Sequence, residues 1–324
     1  MSLPATLKSR LSLPLIAAPM FLVSGPALVT AACRAGVIGS FPTANCRTVE
    51  ELDRWLADMG DDLKRAADEG GRSPAPLCPN LIVHRSNPRV PDDLAVVLRH
   101  KVELVITSVG SPEPVLRPLK DQGCLVLADV ASVRHAEKAV AAGVDGLVLL
   151  TAGAGGQTGW VNPFAFVRAV RKFWDGVVVM AGGMADGHAI AAAEMLGCDL
   201  AYMGTKFIAT RESLAKDAYK AMLVKSRLDD VLLTKAFTGL ETNMLRPSIA
   251  AAGLDPDNLP VRGAVDISKD INPSERDKPD AKRWKDLWSA GHSVSGVADV
   301  PSVAELVART AAEYAAAKRS VKRE

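Results

Sequence analysis

Cysteine chemistry is scarce in this chain. Its five cysteines (Cys33, Cys46, Cys78, Cys124 and Cys198) are odd in number, widely separated and never spaced as CxxC. That excludes a disulfide framework or a thiolate zinc site and fits reduced thiols in a cytoplasmic compartment. Charge of one sign is also missing. The 39 basic and 37 acidic residues leave a net +2, which speaks against nucleic acid or an anionic membrane as partner. The first residues carry Lys8 and Arg10 but no apolar run long enough for a signal peptide. No stretch approaches the roughly 18 apolar residues of a membrane span. With 48% hydrophobic and 23% charged residues over 324 positions, wholesale disorder is excluded. One large domain is expected, alone or with an appendage. The remaining class is a cytoplasmic enzyme or binding protein for a small molecule, with a homo-oligomer allowed but not specified.

What the chain does have is an alternation of short apolar runs with helical patterns. Expected strands are Leu13–Ala18, Val37–Ser40, Asn80–Val83, Val102–Thr107, Leu125–Asp129, Gly146–Leu150, Val177–Ala181 and Leu200–Met203. They are apolar nearly throughout, as strands of a parallel sheet covered on both faces must be. Between them, Ser132–Ala142, Pro163–Phe173 and Gly187–Leu196 repeat apolar residues at three- and four-residue steps. Ser132 is placed to cap its helix, and Gly143 to stop it. Eight units of roughly 25 residues suit a TIM (β/α)8 barrel. A doubly wound sheet would carry a glycine fingerprint after its first strand; here that strand runs into Ala17-Ala18-Pro19-Met20. The expected layout is an α/β barrel over 1–209, a small inserted helical subdomain over 210–280 and a C-terminal segment, 281–324, returning to the barrel. Ser213–Arg227 and Asp229–Ala236 read as helices, Leu254–Arg283 as a Pro-, Asp- and Asn-rich loop, and Val303–Lys318 as an amphipathic helix.

In such a barrel the active site forms at the C-terminal strand ends, and the last two loops commonly bind phosphate through backbone N–H groups and a helix start. Gly182-Gly183 follows Val177–Ala181 and opens a helix, and Gly204-Thr205 follows Leu200–Met203. A third loop, Gly153 to Gly159, lacks the GK[ST] ending of a nucleotide-triphosphate loop. Its glycines would let backbone approach a flat ligand, with Gln157 available to point at it.

Taken together, these pieces resemble the nitronate monooxygenase (2-nitropropane dioxygenase) family, FMN-dependent barrels related to an FMN-dependent enoyl-acyl-carrier-protein reductase. The likeness rests on Ala17–Met20, Pro79-Asn80-Leu81, Ala142–Gly146, the Gly153–Gly159 loop, Ala181-Gly182-Gly183 with Ala185-Asp186-Gly187, and Tyr202–Phe207. Phe237-Thr238-Gly239 and Arg246–Ile249 extend it into the inserted segment. The resemblance implies that Ala18, Pro19 and Met20 line the isoalloxazine, and that Asn80 hydrogen-bonds its polar edge. Ala152 and Gly153 would pass close to the flavin, while Gly182, Gly183, Gly204 and Thr205 hold the FMN phosphate. It implies no metal.

Two departures bear on chemistry. Where the family carries its catalytic histidine, this chain has Gln157, which can offer hydrogen bonds but cannot act as a base near neutrality. Where some relatives carry a lysine, it has Asp129, a carboxylate that would disfavour an anionic reduced flavin beside it. Asp129 also admits a purely structural strand-end role. His84, after the third strand, is a further acid/base candidate. His188, His292, Thr238, Asn243 and Ser248 lie near matching motifs, while His100 and His135 read as solvated. Gln157, Asp129 and His84 are thus the catalytic candidates. The first expected activity is oxidation of a nitronate by O2 through the flavin. The alternative is an NAD(P)H-linked reductase or dehydrogenase of an α,β-unsaturated carbonyl or acyl thioester. A flavin-binding protein without turnover is the third reading.

Overall fold

The protein is described from a computed structural model covering residues 3–70, 72–259 and 287–321. All eight expected barrel strands form. They are β1 (Leu15–Ala17), β2 (Ile38–Pro42), β3 (Leu77–Ile82), β4 (Leu104–Ser108), β5 (Leu125–Val130), β6 (Gly146–Leu150), β8 (Val177–Ala181) and β9 (Leu200–Met203). Every neighbouring pair is parallel, and β9 closes on β1 with Ile16 opposite Tyr202.

Side chains two residues apart share a face of a strand, so each strand divides between two cores. Ile16, Ile38, Leu104, Leu127, Val148, Val177 and Leu200 fill the barrel interior. Their alternates, among them Leu15, Val105, Val126, Leu147 and Val178, pack against the surrounding helices. Leu3 and Leu7, the latter on the short helix Ala5–Lys8, add to the interior core.

The helical ring follows local chemistry. Ser132 Oγ accepts from the His135 N–H at 3.1 Å, and Gly143 ends the helix Val133–Ala142 in the left-handed region at φ +95°. The C-terminal helix Val303–Val321 packs against both Gly187–Leu196 and Pro26–Arg34, filling the gap left in the ring after β9.

One expected element is different. Asp229–Ala236 is not a helix: a 3-10 turn at Leu228–Asp230 leads into strand β10, Val231–Thr234. It pairs antiparallel with β11, Thr242–Leu245, which in turn takes the two-residue strand β7, Gly156–Gln157, as its other neighbour. The run Val-Leu-Leu-Thr favours extended backbone once a partner strand is available, and the cross-strand ladder overrides local helical periodicity. The segment after the barrel is therefore mixed rather than all-helical. Among the described residues its helices are Asp217–Lys225, shorter than the expected Ser213–Arg227, and Arg246–Ala251. Most of the expected Leu254–Arg283 loop lies outside the described residues.

Candidate active site

A cavity of about 370 Å³ opens at the C-terminal ends of the barrel strands. Its floor is the last inward-facing layer of the barrel. The same alternation that places Cys78, Ile106, Leu127 and Leu200 in the interior core brings Asn80, Ser108, Asp129 and Tyr202 up to the cavity. Asn80 is pinned there: its Nδ2 donates to the Ile106 carbonyl at 3.2 Å and to Ser108 Oγ at 3.1 Å.

Asp129 is the electrostatic anomaly of this layer. Its Oδ1 is sealed from solvent and finds no hydrogen-bond partner, so a structural strand-end role is not supported at that atom. Burial disfavours the charged form and pushes the carboxyl up to about 8. Burial likewise raises the Tyr202 phenol, with nearby Asp129 and Cys78 adding to the effect.

The loop after β1 is held from below. Asn45 Nδ2 donates to the carbonyls of Met20 at 3.1 Å and Ser24 at 2.8 Å, and its Oδ1 accepts from the Leu22 N–H at 2.9 Å. Ser24 Oγ accepts from the Met20 N–H at 3.0 Å. Two non-glycine residues on the cavity wall, Leu22 (φ +60°) and Val109 (φ +59°), sit in the left-handed region. For a β-branched residue such as Val109 this is strained backbone.

Across the mouth, the loop after β6 is bound to the inserted segment. β7 pairs with β11, and Asn243 Nδ2 donates to the Ala154 carbonyl at 2.7 Å. Gly153 adopts φ +91°, and a Cβ there would meet the His292 ring at 2.6 Å. Gln157 lines the cavity from β7. At the end of β8, Gly182 adopts φ +113°, and a Cβ would lie 2.4 Å from Thr151 Oγ1. Gly183 and Gly204 complete this side with Thr205, whose Oγ1 accepts from the Gly291 N–H at 2.9 Å. The Thr205 hydroxyl keeps its own proton for a ligand oxygen.

Of the residues expected from sequence, Ala18, Pro19, Met20, Asn80, Asp129, Gly153, Gln157, Gly182, Gly183, Gly204 and Thr205 all line this one cavity, as does Thr238. Ala152 is not among the lining residues; its N–H is spent on the Val161 carbonyl at 2.8 Å. His84 is not there either. Its Nδ1 lies 2.7 Å from Ser86 Oγ, in a local turn outside the cavity lining. His188 and His292 are exposed, and no histidine lines the cavity among the described residues. Asn243 supports the β6 loop from behind, and Ser248 Oγ accepts from the Trp288 N–H at 2.7 Å.

The sequence reading missed Ser108, Tyr202, Lys216, Tyr219 and Trp288, all of which reach the cavity. Ser108 and Tyr202 carried a usable signal, a polar side chain at the last inward position of an apolar strand. Tyr219 and Trp288 carried none. They stack at 4.9 Å between ring centroids and 11° between planes, from segments distant in the chain.

Comparison with known proteins bears on the family and the fold. A nitronate monooxygenase from Paraburkholderia phytofirmans is 29% identical, covering 91% of this chain and 90% of that one. A (3aS,4S,5R,7aS)-5-hydroxy-7a-methyl-1-oxo-octahydro-1H-indene-4-carboxyl-CoA dehydrogenase from Rhodococcus jostii is 25% identical over 88% of this chain and 76% of its own. Among solved structures, nitroalkane oxidase from Streptomyces ansochromogenes superposes with a TM-score of 0.74 at 26% identity, covering 98% of this chain and 100% of that one. FabK from Thermotoga maritima gives 0.77 at 23% identity over 97% and 96% of the two chains, a likeness of fold. The nitronate monooxygenase family model matches residues 78–313. By that match, which runs from the third barrel strand into the terminal helix, the chain belongs to the nitronate monooxygenase family.

Proposed function

We propose that this protein is an FMN-dependent oxidoreductase that oxidises small substrates reaching it already ionised, nitronates above all. The observation that carries this reading is Gln157 at the cavity, in a site where no histidine lines the wall among the described residues. Glutamine can donate a hydrogen bond to a nitro oxygen, but it cannot remove a carbon-bound proton. A substrate that has already lost that proton needs only to be oriented.

The residues present fit FMN. The left-handed Gly182 and Gly183, with Gly204 and Thr205 at the start of the short helix Thr205–Ile208, form a cradle free of bulky side chains. Such a cradle at a helix start suits a phosphate. Ala18, Pro19 and Met20 supply a flat apolar wall, and Asn80 with Ser108 a polar edge. When bound, FMN supplies the electron acceptor and the means of passing electrons to O2. The protein's part is to hold the substrate against that face, with Gln157 orienting its oxygens and the Tyr219–Trp288 stack excluding water.

Oxygen uptake tests the reading. The flavin-loaded protein should consume O2 with propionate 3-nitronate and be nearly inert to the neutral nitroalkane of the same chain. Gln157→His should raise turnover of the neutral nitroalkane. No uptake with any nitronate would remove the proposal.

A second reading rests on a different observation. The outer wall of the cavity is apolar, with Leu22, Val23, Val109 and Leu214, and Lys216 reaches it. An acyl chain with an anionic carrier would suit that wall, as in an NAD(P)H-linked reductase or dehydrogenase of an unsaturated acyl thioester. Rapid anaerobic bleaching of the flavin by NADH or NADPH would favour it over the nitronate reading.

A further inference from the structure

We propose that Asp129 enters the neutral-pH site as an uncharged carboxylic acid and donates a hydrogen bond to an acceptor on the edge of the bound flavin ring, where it acts as a pH-gated clamp on the cofactor. This rests on the FMN reading above and goes beyond it by assigning a protonation state and a donor role to one side chain.

Geometry carries the argument. Asp129 stands at the last inward position of β5 and lines the floor of the cavity, while its Oδ1 is sealed from solvent and lacks any hydrogen-bond partner. An ionised carboxylate left without donors in an apolar barrel is costly, and the ordinary remedy is to keep the proton. The groups around it offer a negative charge nothing. Tyr202 on β9 and Cys78 on β3 are the titratable neighbours that sense it, and both are neutral at pH 7. On the flanking strand β4 the inward group is the Ser108 hydroxyl, already engaged with Asn80, and on β6 it is the apolar Leu150. Lys216 is the only basic side chain among the described residues of the cavity lining. It belongs to the segment just before the helix Asp217–Lys225, not to the barrel floor.

A neutral acid has a donor where a carboxylate has none. A flavin ring carries carbonyl and imine acceptors on its polar edge; the protonated side chain can donate to one of them, and the ionised one would repel that atom. Burial holds the carboxyl at about 8; the clamp should therefore open in the mildly alkaline range.

The test uses the full-length, flavin-loaded protein. Infrared spectra should contain a carboxylic-acid carbonyl band at about pH 7 that is missing from Asp129→Asn, and bound flavin should carry that band to a higher pH than it reaches once the flavin is removed, where it fades by about pH 9. In parallel, FMN affinity is followed by flavin fluorescence on dilution. Wild type should bind about tenfold more weakly at pH 9 than at pH 7, following the protonated fraction. Asp129→Asn keeps a donor that does not titrate and should bind FMN with no such pH dependence. Riboflavin should repeat the pattern, because it lacks the titrating phosphate. An ordinary carboxylate titration, or an identical pH profile in wild type and Asp129→Asn, overturns the inference while leaving the FMN reading intact. Failure to retain flavin at any pH overturns both.

Discussion

The lower and upper halves of the same barrel strands follow one geometric rule with opposite chemistry. On β5, Leu127 points inward and is 1% exposed in the interior core, and Asp129, two residues later, points inward at the cavity. Cys78 and Asn80 repeat the contrast on β3, Ile106 and Ser108 on β4, and Leu200 and Tyr202 on β9. Period-two alternation selects the face, and depth along the barrel axis selects the chemistry. Below, the inward groups are removed from water and are apolar, save Ser40, whose hydroxyl is satisfied by the Ala17 carbonyl. Above, the inward groups meet a cavity, so polar atoms there can await a ligand. A functional layer and a structural layer are thus separated by a single pleat.

The sharpest challenge to that division lies at the cradle. Gly182→Val places a branched side chain against Thr151 in a left-handed backbone. FMN retention should fall by about a hundredfold or more, roughly 3 kcal/mol, with part of the effect appearing as lower thermal stability. Flavin content and the melting curve, measured together, separate the two.

Next come paired truncations above and below the pleat. Leu127→Ala removes interior packing and should cost about 2–5 kcal/mol in denaturant unfolding. Asn80→Ala should cost less stability and mainly weaken flavin binding. If the two variants lost stability equally, the floor of the cavity would be core and not site.

A smaller effect concerns Asp129 and stability. Its folded-state pKa, about 8, lies above the ordinary carboxylate value. Below about pH 4 the group is protonated folded or unfolded and costs nothing. Between about 4 and 8 the folded state holds more protons than the unfolded one, so stability falls as pH rises. The ceiling is about 1.4 kcal/mol per unit. Asp129→Asn should match wild type near pH 4 and be more stable by about 1–3 kcal/mol near pH 9, measured by urea unfolding.

Smallest is the support behind the β6 loop. Asn243→Ala deletes the hydrogen bond to the Ala154 carbonyl and should cost about 1–2 kcal/mol. Limited proteolysis should then cut first within 153–159 if β11 holds that loop.

Much of this was legible before any coordinates. Strands such as Val177–Ala181 are apolar at every position because both faces of a parallel barrel strand are buried, so composition alone marks them. The glycines of the cradle were legible because a left-handed backbone and close approach leave few alternatives to glycine. His84 was misjudged because a position after a strand says nothing of where a ring turns, and Ser86 two residues on captures it. Val231–Thr234 was misread because a four-residue run is a strand only by virtue of its partner, and that partner is Thr242–Leu245.

Local chemistry, then, sufficed for the order of strands and helices and for the glycine turns that follow β8 and β9. Folding alone could bring Asp129 and Tyr202 to one cavity, stack Tyr219 on Trp288, and tie the Gln157 loop to β11. The reason is physical: backbone preferences act over a few residues. The desolvation that holds a proton on Asp129, by contrast, is produced by everything packed around it, drawn from strands far apart in the chain.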